Sequence, residues 1–87
     1  MISVAQIKAA RSMLGWSAQV LADASGVSVA TIKKYEQQTG IPRANMRVLN
    51  SIVQALVIAG ITFTGDPLSN PGVTLDLSKR GNSDESH

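Results

Sequence analysis

The chain contains no cysteine, and its single histidine is the last residue, His87. A disulfide framework and a thiolate or histidine-based metal site are therefore excluded, and no metal or other cofactor is expected. Aromatic residues are nearly absent: one Phe, one Tyr and one Trp make up 3% of the 87 residues, against 44% hydrophobic residues overall. The core must then be aliphatic and alanine-rich, and there is room for only one, since a chain this short buries little more than about 60% of its unfolded surface. Long apolar runs are also lacking. The longest, Ile52 to Phe63, is interrupted by Gln54 and Gly60 and falls short of the roughly 18–20 residues that cross a bilayer. Met1 to Ala10 holds no basic stretch followed by an unbroken apolar run, so no signal peptide and no membrane partner are expected, and the reading is cytoplasmic.

Catalytic groupings are missing as well. No histidine lies inside the fold to serve as a base, no carboxylate pair is spaced for acid–base work, and the glycines match neither the phosphate-loop nor the dinucleotide pattern. The expectation is a protein that is not an enzyme. What the chain does have is an uneven charge distribution beneath its formal net charge of +2. Residues 1–50 carry six Lys or Arg against Asp23 and Glu36, a net of +4, whereas residues 51–87 carry Lys79 and Arg80 against Asp66, Asp76, Asp84 and Glu85, a net of −2. A polyanion would be sought by the first half.

Apolar periodicity and punctuation predict the elements. Val4, Ile7, Ala10 and Leu14 recur at helical spacing, and Gly15 ends that first helix. Ser17 is the N-cap of a second helix through Ser25, stopped by Gly26; Ser28 caps a third, from Val29 to Gln37 or Gln38. Pro42 favours a helix start directly after it, so the fourth helix is expected from Arg43 or Ala44 to Ala59. Met46, Leu49, Ile52, Val53 and Leu56 form its core stripe, with Val48, Val57 and Ile58 left over for a second buried surface. Alternation then predicts two short strands, around Ile61 to Thr64 and Val73 to Ser78, joined by a turn-rich segment. Three parts result: a helical domain 1–60, strands within 61–78, and a polar flexible tail 79–87.

The stretch Ser17 to Glu36, SAQVLADASGVSVATIKKYE, has the spacing of a helix-turn-helix. Leu21 and Ala22, Val27 in the turn, and Ile32 with Tyr35 supply the internal contact, with Ala22 small where the helices cross and Gly26 at the reversal. Trp16, Met13 and Met46 read as packing residues. With LGWS, LA, GVS, TI and YE in register, residues Ser3 to about Leu56 resemble the lambda-repressor-like helix-turn-helix family of Xre and Cro/C1 type. The resemblance implies a mostly α bundle of four to five helices, here followed by two short C-terminal β-strands, with the third helix in the DNA major groove, usually as a two-fold dimer. It also implies an ion pair between Arg11 and Glu36. Many relatives have glutamine at the second position of the second helix; here that position is Ala18, with Gln19 beside it.

The third-helix residues not needed inside are the candidate reading face. Base contacts are assigned to Ser28, Val29, Ala30, Lys33 and Lys34: a lysine reaches guanine O6 and N7, and Val or Ala packs on a thymine methyl. Phosphate contacts are assigned to Ser17, Gln19, Thr31, Gln37, Arg43, Asn45 and Arg47. The surplus apolar residues Val57, Ile58, Ile61, Phe63, Val73, Leu75 and Leu77 are expected to form a dimer interface. The expected partners are double-stranded DNA and a second copy, with RNA polymerase or another regulator as a further candidate. The function read from the sequence is transcriptional regulation at a palindromic operator, of a kind that suits phage or mobile-element control. The alternative is a protein-interaction module, an antitoxin or adaptor, using the C-terminal strands.

Overall fold

A computed structural model describes residues 1–80 of the chain. Helix α1 (Val4–Leu14) begins with a reciprocal cap: the Ser3 hydroxyl accepts from the Gln6 amide at 3.3 Å, and Gln6 Oε1 accepts from the Ser3 amide at 2.9 Å. Both orphan donors are thereby satisfied. Helix α2 (Ala18–Ser25) is capped by Ser17 and helix α3 (Val29–Glu36) by Ser28, each hydroxyl accepting an amide three residues on, at 3.2 Å. Between them Gly26 takes the left-handed conformation, φ 75, and a Cβ there would meet nothing within 4 Å. Backbone strain, not crowding, therefore calls for glycine at this reversal.

Helix α4 (Met46–Ile58) starts later than Pro42 suggests. Residues 41–45 stay non-helical, and the cap is Asn45, whose Oδ1 accepts from the Arg47 amide at 2.8 Å. Pro42 is instead buried. Strands β1 (Ile61–Thr64) and β2 (Gly72–Leu75) form an antiparallel hairpin pairing Ile61 with Leu75 and Thr64 with Gly72. The second strand was expected to reach Ser78, but it ends at Leu75. The Asp76 carboxylate accepts from both the amide and the hydroxyl of Ser78, which opens a single helical turn, α5 (Leu77–Arg80). Of the 79–87 stretch expected to be flexible, residues 79 and 80 lie in this turn and 81–87 fall outside the described residues. Among the described residues no helix is long and apolar enough to cross a membrane.

The core is aliphatic: Ile7, Ala10, Leu14, Leu21, Ile32, Leu49, Ile52, Leu56 and Ile61 are almost fully buried, with Tyr35 the one aromatic among the buried residues. Trp16 packs against this core, as does Val48, whereas Met13 and Met46, expected to pack, are exposed. A two-stranded sheet is marginal by itself. Here the hairpin turns Ile61, Phe63, Val73 and Leu75 onto the helical core and leaves Thr62, Thr64 and Thr74 outside. That arrangement removes Ile61 from the expected dimer surface, because at 2% exposure it is buried within its own subunit, and it leaves Phe63, Val73 and Leu75 half-buried there. Only Val57, Ile58 and Leu77 of that set stand exposed.

The hairpin is also fastened by a side chain. Gln6 Nε2 donates to the carbonyls of Thr64 at 3.1 Å and Gly72 at 3.0 Å, the two residues of the rung nearest the loop. Gln6 is 2% exposed, and both ends of its amide are hydrogen-bonded.

Candidate nucleic-acid interface

Helices α2 and α3 meet through Leu21, Ala22, Ile32 and Tyr35, all buried, with Val27 half-buried in the turn. The Ser25 hydroxyl stabilises that turn, donating to the Leu21 carbonyl at 2.7 Å and accepting from the Val27 amide at 3.3 Å. Burial of Ile32 and Tyr35 fixes the rotation of α3 about its axis. At 3.6 residues per turn, Ala30, Lys33, Lys34 and Gln37 then fall within an arc about 100° wide on the opposite side, and all four are exposed.

The other residues assigned to bases are placed differently. Val29 is half-buried and packs on the core, so its methyls are only partly available to a ligand. Ser28 is exposed, but its hydroxyl donates to Thr31 Oγ1 at 2.9 Å while accepting the Thr31 amide. Its hydrogen is therefore committed inside the helix start. Thr31 itself is half-buried.

Ser17, Gln19, Gln37, Arg43, Asn45 and Arg47 are all exposed, the last three clustered where α4 begins. The Gln19 side-chain Nε2 donates to Asp23 Oδ1 at 2.9 Å, which draws it along α2 toward a carboxylate. Arg11 pairs with Glu36, and Lys33, Lys34, Arg43 and Arg47 are exposed with no carboxylate partner among the described residues. Lys8 is an exposed cation that the sequence reading did not place at the site. It lines a cleft of about 400 Å³ between α1 and the α3–α4 loop, beside Gln38, Thr39 and Gly40. Its proximity to that loop comes from a long-range contact, the Val4 amide donating to the Gly40 carbonyl at 2.8 Å, which no local pattern announces.

The end of α3 is tied to α1. Arg11 Nε and Nη2 donate to the two carboxylate oxygens of Glu36 at 2.8 and 2.7 Å, and Nη1 donates to the Trp16 carbonyl at 2.9 Å. Hydrogen bonding to Glu36 raises the Arg11 guanidinium above its ordinary value, against the opposing effect of burial. The bidentate geometry orients both groups, and it neutralises the one carboxylate of α3.

Comparison with the curated proteins and with solved structures yields no match. A helix-turn-helix family model matches residues 7–56, from the middle of α1 nearly to the end of α4, more than half of the chain. The matched region holds the capped α2–turn–α3 unit, its buried contact and its cationic outer face, and with it the chain belongs to the Cro/C1-type, lambda-repressor-like helix-turn-helix family of DNA-binding regulators.

Proposed function

We propose that the protein is a sequence-specific regulator of transcription that binds double-stranded DNA as a homodimer on a two-fold operator, with α3 lying in the major groove. The observation that carries this reading is the exposed arc of Ala30, Lys33, Lys34 and Gln37, which the core does not need and which faces no acid among the described residues. Lys34 donates to guanine O6 and N7, Ala30 packs on a thymine methyl, and Lys33 serves a base or the flanking phosphate. Ser28 and Val29 border this face. Phosphates are held by Ser17, Gln19, Thr31 and Gln37 around α2 and α3, and by Arg43, Asn45 and Arg47 at the start of α4.

The dimer contact is assigned to the exposed apolar residues Val57, Ile58 and Leu77. The Asp76 amide donates to the Gly60 carbonyl at 2.8 Å, which brings Leu77 beside the end of α4. Helix α4 has 13 residues and so spans about 20 Å. Its cationic start and apolar end are therefore separate, and one helix can serve DNA and a second subunit together. Two copies related by a two-fold axis would reach half-sites about 34 Å apart.

Selection from a randomised duplex library tests the reading: enrichment of an inverted repeat with that spacing is expected. Recovery of no preferred sequence, with only weak binding that vanishes as salt rises, would overturn it in favour of an adaptor that keeps the fold without reading DNA.

A further inference from the structure

The loop between α3 and α4 is held in one shape by a side chain that belongs to neither the core nor the exposed cationic set. Gln38 follows α3, and its amide donates to the Tyr35 carbonyl at 3.1 Å, which fixes its backbone to the helix end. Its side-chain carbonyl then reaches five residues ahead and accepts from the Arg43 amide at 2.7 Å. Between these points the chain reverses at Gly40, φ 71, whose carbonyl is held by the Val4 amide. The Arg43 side chain remains exposed, and no carboxylate partner for it is present among the described residues.

We propose that Gln38 is a positioning residue for DNA binding: by holding the Arg43 amide it locks the loop so that the Arg43 guanidinium leaves it at a fixed place relative to α3. The inference rests on the reading of Arg43 as a phosphate contact. Physically, a guanidinium on a loose loop must be ordered when it meets a phosphate, and that ordering cost is removed when the backbone is already fixed. The same bond occupies the Arg43 amide, so Arg43 meets the phosphate through its side chain alone.

A double-mutant cycle tests the proposal. Gln38→Met keeps the length of the side chain and removes the acceptor; Gln38→Glu keeps an acceptor at the same reach. In the free protein, exchange of the Arg43 amide with solvent should quicken in Gln38→Met and stay slow in Gln38→Glu. Binding to a mixed-sequence duplex at fixed salt should weaken about three- to tenfold in Gln38→Met, but by no more than about twofold when Arg43→Ala is already present. An equal loss in both backgrounds would show a merely structural role and overturn the proposal, as would an unchanged affinity despite a freely exchanging Arg43 amide. Failure of the unmodified chain to bind the duplex would instead sink the DNA reading, and this inference with it, while the exchange experiment would still report whether Gln38 holds the loop.

Discussion

Replacing Arg11 by methionine removes three hydrogen-bond donors and leaves the alkyl stem in place. Two of the donors engage Glu36 at 2.8 and 2.7 Å, and the third engages the Trp16 carbonyl. The side chains of the pair are 23% and 11% exposed, so Glu36 is the better shielded partner and would be stranded by the substitution. A freely solvated pair contributes about 0–1 kcal/mol, whereas charge-assisted bonds to a shielded group contribute about 1.5–3 kcal/mol. Solvent screening on the Arg11 side keeps the total near the middle of that range, and a loss of about 2 kcal/mol is expected. In a domain of this size each kcal/mol moves Tm by about 4–8 °C, so Tm should fall by about 8–16 °C. Thermal and urea unfolding followed by circular dichroism, on Arg11→Met, Glu36→Gln and the double variant, measures both the loss and the coupling. Because Glu36 raises the Arg11 guanidinium above its ordinary value, the part of that stabilisation linked to the Arg11 proton is fully present below the ordinary value and is lost only as pH rises through the still higher folded one. Titration of Arg11 therefore adds no pH dependence between about pH 6 and 9. A loss below about 0.5 kcal/mol, or losses that simply add in the double variant, would refute the reasoning.

Lys34→Ala should cost about 1–3 kcal/mol of operator affinity and relax preference at one base pair, whereas Arg43→Ala should weaken all duplexes alike and flatten the salt slope by about one unit; titrations at several salt concentrations separate them. Gln6→Leu leaves the carbonyls of Thr64 and Gly72 and the amide of Ser3 without their present partner, and a loss of about 2–3 kcal/mol in urea unfolding is expected. Asp66 accepts from the amides of Ser69 and Leu68 and from the Ser69 hydroxyl, which holds its carboxyl below the usual 3.8. Its support of the hairpin loop is thus complete above 3.8 and is lost as pH falls through the lower folded value, which a titration of the Ser69 amide signal by NMR will display. The proposed dimer should be seen in sedimentation of the unmodified chain and give way to a monomer in Ile58→Asp, with the melting profile of the subunit nearly unchanged.

Much of the helical architecture was legible because its signals are local. Ser17 and Ser28 cap helices where their hydroxyls reach amides three residues on, Gly15 and Gly26 end helices in left-handed geometry, and Ile32 with Tyr35 marks the inner side of α3. What escaped was set by contacts distant in sequence or by competition between neighbouring signals. Pro42 and Asn45 both invite a helix start; with the Pro42 ring buried and the Arg43 amide bonded to Gln38 the first stays non-helical, and Asn45 takes the role. Alternation placed Leu77 in a strand, but the Asp76 carboxylate captures Ser78 and turns the chain. For the apolar residues of the hairpin, period two reports which face they share and not whether the covering surface belongs to the same subunit; Ile61 is covered by its own. At the site, exposure of Lys33, Lys34 and Ala30 follows from helical spacing, while the half-burial of Val29 and the internal engagement of Ser28 depend on packing.

The attachment of Gln6 to Thr64 and Gly72 joins groups 58 and 66 positions apart along the chain. Closing so long a stretch carries an entropic cost that the short-range contacts between successive helices avoid. The helices are therefore expected to assemble first and the hairpin to dock last, after the main kinetic barrier. Lesions at this attachment should accelerate unfolding and leave the rate of folding almost untouched, so that the lifetime of the native molecule, more than its speed of formation, rests on one glutamine.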